Sequence, residues 1–198
     1  MTSRWAVDVV KPERDLNISW EPISLLYKNN PPEGSEYYGF SLFTHKLLRV
    51  MLAVKQAEGE EAARRFYWQC GAVLHHDRVA GAMDPAAVLG GDAAPFLAAA
   101  GLDASYNAAF EDEAWDAAIR SGMDAGLALV GNDVGTPILA FDTKHGRQGI
   151  FGPVISRMPE GEDSVALWDA MVTMSTMQGF WELKRTRTED PNFPERPQ

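Results

Sequence analysis

Apolar and polar residues follow two different periods along this chain. Residues 16–21 (Leu-Asn-Ile-Ser-Trp-Glu) alternate apolar with polar, which predicts a half-buried strand that Pro22 limits. Between residues 40 and 58 the apolar positions recur every three or four residues, which predicts a long helix that ends at Gly59. Apolar runs at 138–141 and 150–154 flank a turn, and they predict a hairpin. The pattern therefore indicates a long helical block between two strand regions.

The remaining periodicity predicts further helices. A short helix from Ser3 to Val10 would be stopped by Pro12, and the helix after Gly59 starts with two acidic residues that suit a first turn. The apolar face of that second helix is formed by Ala62, Phe66, Cys70 and Val73. Helices are also predicted at 85–89, 93–100, 104–129 and 163–176, with a further packed element at 180–183 and a mobile Pro-rich tail at 189–198.

Composition narrows the class of protein. The chain has 198 residues, of which 45% are hydrophobic, enough for a substantial core. A net charge of −10 argues against a nucleic-acid surface, which needs a basic patch. No apolar run reaches the roughly 20 residues of a membrane span, so no membrane partner is expected. The single cysteine excludes an internal disulfide and fits a reducing cytoplasm.

Candidate chemical groups are few. Cys70 lies inside a helix on the apolar face, where a buried structural thiol is expected rather than a reactive one. His75 and His76 are adjacent, so their side chains point roughly 100° apart and do not form the i,i+4 pair that holds zinc. His45 and His145 are distant in sequence, and no metal site is predicted.

The Thr136–Pro137 bond is a candidate cis peptide. Only X-Pro bonds adopt the cis form at modest cost, and a proline suits the first residue of a strand because it lacks an N–H. Spacing alone indicates only a turn before a hairpin.

Several stretches resemble the DsbA family of thioredoxin-fold proteins. The Val-Gly-Thr-Pro segment before the hairpin looks like the cis-proline segment of that family. The resemblance is closest to the actinobacterial mycothiol-dependent nitroreductase branch. It is carried by Thr2-Ser3-Arg4-Trp5, Phe151-Gly152-Pro153-Val154-Ile155-Ser156-Arg157, Leu167-Trp168-Asp169 and Glu182-Leu183-Lys184-Arg185-Thr186-Arg187.

The resemblance implies a fold and a site. The fold is α/β and thioredoxin-like, with its core at 1–30 and 130–188 and an all-helical insertion at 31–129. The implied site residues, which would bind a substrate or a thiol, are Asn29, His75, Asp133, Gly135, Thr136, Pro137, Phe151 and Pro153. Lys184, Arg185 and Arg187 could bind an anion, although a solvated basic stretch is the simpler interpretation.

One difference between this chain and the family matters more than the residues that match. The family's first core strand and its nucleophilic cysteine should precede Thr2, and nothing in this chain corresponds to them. A sheet without its central strand has two strand edges with unpaired backbone groups, and such edges favour pairing with another chain. A homodimer is therefore one expected outcome. Met1 is then expected to be an internal methionine of a longer natural chain.

The implied function is that of a DsbA-like thiol-disulfide oxidoreductase, similar to the mycothiol-dependent nitroreductases. Mycothiol or another low-molecular-weight thiol would be the co-substrate, with no tightly bound cofactor. The chain as written is expected to be inactive, because no cysteine occupies the family position. Two alternatives stay open: a thiol-binding isomerase or transferase of the same fold, and a non-catalytic binding module.

Overall fold

The computed structural model describes residues 1–77 and 91–192. Residues within this part of the chain group into two compact units. The first unit comprises residues 1–17 and 125–192, and the second comprises residues 18–77 and 91–124. The helix predicted at 85–89 lies outside the described residues.

The first unit contains a hairpin and two helices. Helix α1 consists of Thr2–Arg4, a π-helical turn at Trp5–Val10, and Lys11–Arg14. Strands β1 (Ile138–Thr143) and β2 (Gly146–Phe151) pair antiparallel, and a later helix, here called α7, spans Gly161–Ser175. Together these elements form a mixed unit of helices and a two-stranded sheet.

The second unit is helical in its described part. Its helices are α2 (Leu25–Asn29), α3 (Glu36–Glu58), α4 (Glu60–Gly71, continued by a π-helical turn at Ala72–His76) and α5 (Ala94–Ala99). Two 3₁₀ turns follow at Ala104–Phe110 and Glu113–Trp115. Helix α6 (Asp116–Val130) begins in this unit, and its residues from Ala125 onward belong to the first unit.

An aromatic cluster holds the first unit together. The indole of Trp5 is fully buried and packs edge-on against Trp168, with 5.8 Å between ring centroids. Phe141 of β1 also packs edge-on against Trp168, with 6.0 Å between ring centroids. The Trp5 Nε1–H donates to Ser164 Oγ at 2.5 Å, which satisfies both buried polar groups. The cluster therefore joins α1, the hairpin and α7.

The hairpin is longer, and its turn tighter, than the sequence predicts. The turn is predicted to span Asp142 to Gly149, but in the structure it consists of Lys144 and His145. The second strand covers Gly146–Phe151 rather than 150–154. Gly146 has a φ of 95°, which a residue without Cβ adopts at little cost. The polar residues of β2 pair with β1 all the same, because backbone hydrogen bonding extends the strand beyond its apolar run.

Pro12 does not end α1, contrary to the sequence prediction. The helix continues to Arg14 and ends where Asp15 adopts a left-handed conformation with a φ of 47°. The π-helical turn explains this, because Lys11 N–H donates to the carbonyl of Ala6, five residues back, and a new α-helical turn then starts. Pro12 lies at the beginning of that turn, where its missing N–H is tolerated.

Leu16–Glu21 does not form the predicted strand. In the second unit, side chains take the backbone groups of Trp20 that a neighbouring strand would need: Glu60 accepts the Trp20 N–H at 3.1 Å, and Lys55 Nζ donates to the Trp20 carbonyl at 2.5 Å. Ser19 Oγ also donates to Glu60, at 2.7 Å. This stretch therefore belongs to no sheet among the described residues.

The long helix expected at 104–129 is broken into two 3₁₀ turns and α6. The Asp103 carboxylate accepts the Ser105 N–H, and the Asp112 carboxylate accepts the Ala114 N–H, each at the start of a turn. Aspartate side chains that bind nearby amides compete with helix propagation and restart it. The helix predicted from residue 40 to Glu58 is confirmed and starts slightly earlier, at Glu36.

Residues 180–183 were expected to pack, and this prediction is wrong. The side chain of Trp181 is 86% exposed, and that of Leu183 is 78% exposed. Residues 189–192 do contact the first unit, because Glu189 pairs with Arg157 and the Asn192 N–H donates to the Ser156 carbonyl at 2.6 Å.

The two tryptophans of the first unit allow a matched stability test. Trp168→Ala removes a buried ring from between Trp5 and Phe141, and we expect the free energy of unfolding to fall by about 3–5 kcal/mol. Trp181→Ala removes an exposed ring, and we expect a loss below about 0.5 kcal/mol. Urea unfolding followed by circular dichroism measures both. Equal losses for the two variants would contradict this account of the core.

Candidate functional site

Two cis-proline bonds meet at one end of the hairpin. The Thr136–Pro137 peptide bond is cis, as is Gly152–Pro153. The Gly152 N–H donates to the Pro137 carbonyl at 2.8 Å, and Ile138 pairs with Phe151 in the ladder beside them. The two segments are therefore fixed against each other. The sequence singled out Thr136–Pro137, but the second cis bond was not anticipated.

The start of α1 contacts the same end of the hairpin. Thr2 is buried, and its Oγ1–H donates to the Pro153 carbonyl at 2.7 Å. This hydrogen bond places the first turn of α1 against the second cis-proline segment. The unpaired N–H groups of a helix start carry a partial positive charge, which favours an anion or a thiolate.

Arg4 adds a cation to this helix start. Its Nε donates to Asp8 at 3.2 Å, one helical turn further along α1. Within the described part of the chain, its buried Nη1 has no hydrogen-bond partner. The Arg4 guanidinium can therefore donate a further hydrogen bond through Nη1.

Gly135 and Phe151 line the surface beside Thr136. A Cβ added at Gly135 would lie 3.4 Å from Phe151 Cε2, so the glycine leaves little more than van der Waals space above the ring. Thr136 is exposed, and Phe151 is 39% exposed. In the part of the chain that the structure describes, no protein group pairs with the Thr136 N–H or carbonyl. A ligand with one donor and one acceptor could therefore pair with this peptide group as a strand does.

Asp133 lies in the loop that leads from α6 to the cis-proline. The loop starts at Gly131, whose φ of 89° ends the helix and whose N–H donates to the Leu127 carbonyl at 2.7 Å. A Cβ at Gly131 would lie 3.2 Å from Asp133 Oδ1, so the carboxylate folds back over the glycine. Asp133 is exposed.

Asn29 and His75 belong to the second unit, whereas the other six predicted site residues belong to the first. Asn29 is the last residue of α2 and is exposed. The left-handed residue that follows the helix is Asn30, with a φ of 42°. His75 is exposed on the π-helical turn after α4.

Cys70 is the only thiol of the chain, and it lies in the second unit. It is buried on α4, as predicted, in the apolar cluster that contains Phe66 and Leu74. Burial raises the pKa of its thiol far above the ordinary value, so the thiolate is not populated at neutral pH. Cys70 therefore has the surroundings of a structural thiol and lacks the cationic, partly exposed surroundings of a reactive one.

Sequence analysis missed a polar cluster in the second unit. His45 Nδ1 lies 2.9 Å from Ser24 Oγ, and His45 Nε2 lies 3.0 Å from Asp116 Oδ1. These residue types occur in hydrolases, but Ser24 is fully buried and its Oγ accepts the Tyr27 N–H, so no substrate reaches it. A histidine within the apolar stripe of α3, one turn before Arg49, was the available signal.

Within residues 1–77 and 91–192, no three His, Cys, Asp or Glu side chains lie close enough together to hold a metal ion. None of the helices found there is both long and apolar enough to cross a membrane.

The comparison with known protein families gives a match over most of the chain. Residues 1–185 match the family described as Rv2466c-like, mycothiol-dependent nitroreductase Rv2466c. The match includes α1, both cis-proline segments, the hairpin and α7. The chain therefore belongs to the Rv2466c-like family of mycothiol-dependent nitroreductases.

Proposed function

We propose that this chain carries the thiol-binding half of a DsbA-like, mycothiol-dependent oxidoreductase site. The observation that carries the proposal is the exposed, unpaired peptide group of Thr136 before cis-Pro137, beside Phe151. The first turn of α1 reaches the same end of the hairpin through the Thr2–Pro153 hydrogen bond. A bound thiol would pair with the Thr136 peptide group and direct its sulfur toward a helix start.

Electrostatics supports a thiolate at this position. The partial positive charge of a helix start and a nearby guanidinium both lower the pKa of a thiol, which raises the thiolate fraction. Arg4 offers its unpaired Nη1 on the first turn of α1. Thr136, Gly135, Pro137, Phe151 and Pro153 would form the surface against which the co-substrate lies, with Asp133 as a further proposed contact.

We further propose that the first unit is a thioredoxin-like core without its first strand. Strand β1 pairs only with β2 among the described residues, so its second edge lacks a ladder partner. Leu139 and Phe141 of β1 are only partly buried although they pack against the Trp5–Trp168 cluster. A two-stranded hairpin is marginally stable alone, and an added strand would cover both residues. A second copy of the chain is one proposed source.

Thiol-disulfide exchange needs a thiolate that attacks a disulfide sulfur and releases a second thiolate. The only cysteine of this chain lies buried in the other unit with a raised pKa. We therefore propose that the chain as given binds a low-molecular-weight thiol, with no tightly bound cofactor, and does not exchange disulfides. The proposed setting is a reducing cytoplasm, because the co-substrate must remain a thiol.

Two other functions share this geometry. A thiol-binding isomerase or transferase needs the peptide group of Thr136 but no protein cysteine, and the burial of Cys70 favours it over exchange. A non-catalytic module would retain the fold without binding a thiol. Measured mycothiol binding separates the module from the other two functions, and turnover of an electrophilic substrate without disulfide exchange separates the isomerase or transferase.

Thiol reactivity gives the first test. We expect Cys70 to be unreactive toward Ellman's reagent in the native chain and fully reactive in guanidinium, because burial suppresses its thiolate. Insulin reduction with mycothiol should not exceed the rate of mycothiol alone. The matched control is Cys70→Ser, which should give the same insulin rate as the wild type. Insulin turnover that Cys70→Ser abolishes would sink the proposal that this chain cannot exchange disulfides.

Binding at the cis-proline surface gives the second test. Gly135→Val fills the space over Phe151, and we expect the affinity for mycothiol to fall about tenfold, equivalent to about 1.4 kcal/mol of steric overlap. Gly39→Val is the matched control, because Gly39 is exposed and a Cβ there meets nothing within 4 Å. Isothermal titration calorimetry measures both variants. Equal affinities for the two would place the thiol elsewhere.

A further inference from the structure

Three helices of the second unit meet at a buried polar cluster that the proposed function does not use. Ser24 precedes α2, His45 lies on α3, and Asp116 is the first residue of α6. Ser24 is 0% exposed and His45 is 1% exposed. The hydrogen bonds of 2.9 Å and 3.0 Å on the two ring nitrogens of His45 connect all three helices.

The positions of the protons in this cluster follow from its acceptors. Asp116 carries an ionised carboxylate that only accepts, so His45 Nε2 bears the hydrogen. Ser24 Oγ accepts the Tyr27 N–H at 3.3 Å, which leaves its own hydrogen free to donate to His45 Nδ1. A neutral imidazole therefore satisfies every group of the Ser24–His45–Asp116 chain.

A second proton on His45 breaks this arrangement. Nδ1 then becomes a donor, so the Ser24 hydroxyl must turn its hydrogen away within a fully buried position. Among the described residues, the structure shows no other acceptor for that hydrogen. A buried donor without a partner destabilises the folded state.

The surrounding charges do not accommodate an imidazolium readily. Arg49 already binds Asp116 with both Nε, at 2.6 Å, and Nη2, at 2.8 Å. Tyr27 also hydrogen-bonds to this carboxylate, and the Arg120 guanidinium lies 4.1 Å from the Tyr27 ring centroid. The carboxylate of Glu113 also acts on Arg49. Arg49 thus compensates the charge of the Asp116 carboxylate, and the charges of Arg49 and Arg120 both disfavour an imidazolium at His45.

We propose that Ser24, His45 and Asp116 form an acid-sensitive latch, in which a proton taken up by His45 weakens the attachment of α2 and α6 to α3. Burial, together with the charges of Arg49 and Arg120, lowers the pKa of His45 against the opposing effect of Asp116. The unfolded chain, where the pKa of histidine is about 6.5, therefore binds the proton more tightly. The latch is fully closed above about pH 6.5 and weakens as the pH falls toward the lowered pKa.

Asp116 acts in a separate, more acidic range. Although burial favours its neutral form, hydrogen bonds from Arg49, Tyr27 and His45 hold the pKa of Asp116 below its ordinary value. Its contribution to stability is present above about pH 4 and is lost as the pH falls further. Unfolding between pH 7 and pH 5 therefore reports on histidine and not on this carboxylate.

The test compares the full chain with two variants, His45→Gln and His145→Gln, by urea unfolding from pH 7.5 to pH 5. The glutamine of His45→Gln keeps a hydrogen-bond donor for Asp116 but does not titrate. His145→Gln is the matched control, because it also removes one imidazole, but from an exposed position. Below pH 6.5 the unfolding constant of the wild type should rise by up to about tenfold per pH unit relative to His45→Gln. His145→Gln should follow the wild type. A constant ratio between wild type and His45→Gln would overturn the latch.

A second measurement needs no variant to fold well. Proton NMR of the wild-type chain follows the His45 ring hydrogens through the same pH range, with the His145 ring in the same spectrum as an exposed reference. We expect His45 to titrate below pH 6.5, and the Tyr27 amide to exchange faster once it does, after correction for intrinsic exchange. Titration at or above pH 6.5, or an unchanged Tyr27 amide, would refute the proposal.

Discussion

The burial of the Trp5 indole is the constraint on which the first unit depends. Its ring packs on Trp168, and its N–H is satisfied by Ser164, so α1 is fixed to α7 in both position and rotation. That rotation brings Thr2, three residues earlier, against the Pro153 carbonyl. Arg14 adds a bidentate pair with Asp169 at the far end of α1, but both partners are exposed, and such pairs contribute little. The aromatic contact therefore orients the helix start.

Two hydrogen bonds connect Thr2 to the candidate site. The Pro153 carbonyl is held by Thr2, and the neighbouring Gly152 N–H holds the Pro137 carbonyl. Each of these groups belongs to the backbone or to a short side chain, so few rotatable bonds intervene. These hydrogen bonds thus fix the position of the Thr136 peptide group relative to the aromatic cluster of the first unit. A site made of backbone groups tolerates sequence change better than one made of side chains, provided that the core persists.

The elements predicted correctly from the sequence are those in which apolar periodicity alone determines the structure. The predictions failed where side chains compete with the backbone for its hydrogen-bonding groups. The stripe on α3 and the burial of Cys70 follow from apolar periodicity alone, and both were predicted. Residues 16–21 have the pattern of a strand, but Glu60 and Lys55 take the backbone groups of Trp20, and no local pattern reveals partners forty residues away. The cis-proline segment was found through family resemblance, since spacing alone indicated only a turn. The latch was missed because its three members are each ordinary in sequence.

The two units rely on different interactions, and neither set involves the thiol of the chain. The first unit holds its cis-proline segments through Trp5 and the hydrogen bond from Thr2 to the Pro153 carbonyl. The second unit keeps its helices together through an apolar core and one buried polar cluster, again without a role for its thiol as a donor. Neither set of contacts depends on a thiolate. The proposed recognition of a thiol at the cis-proline surface therefore requires no contribution from Cys70, because the contacts that hold this surface are made by other residues.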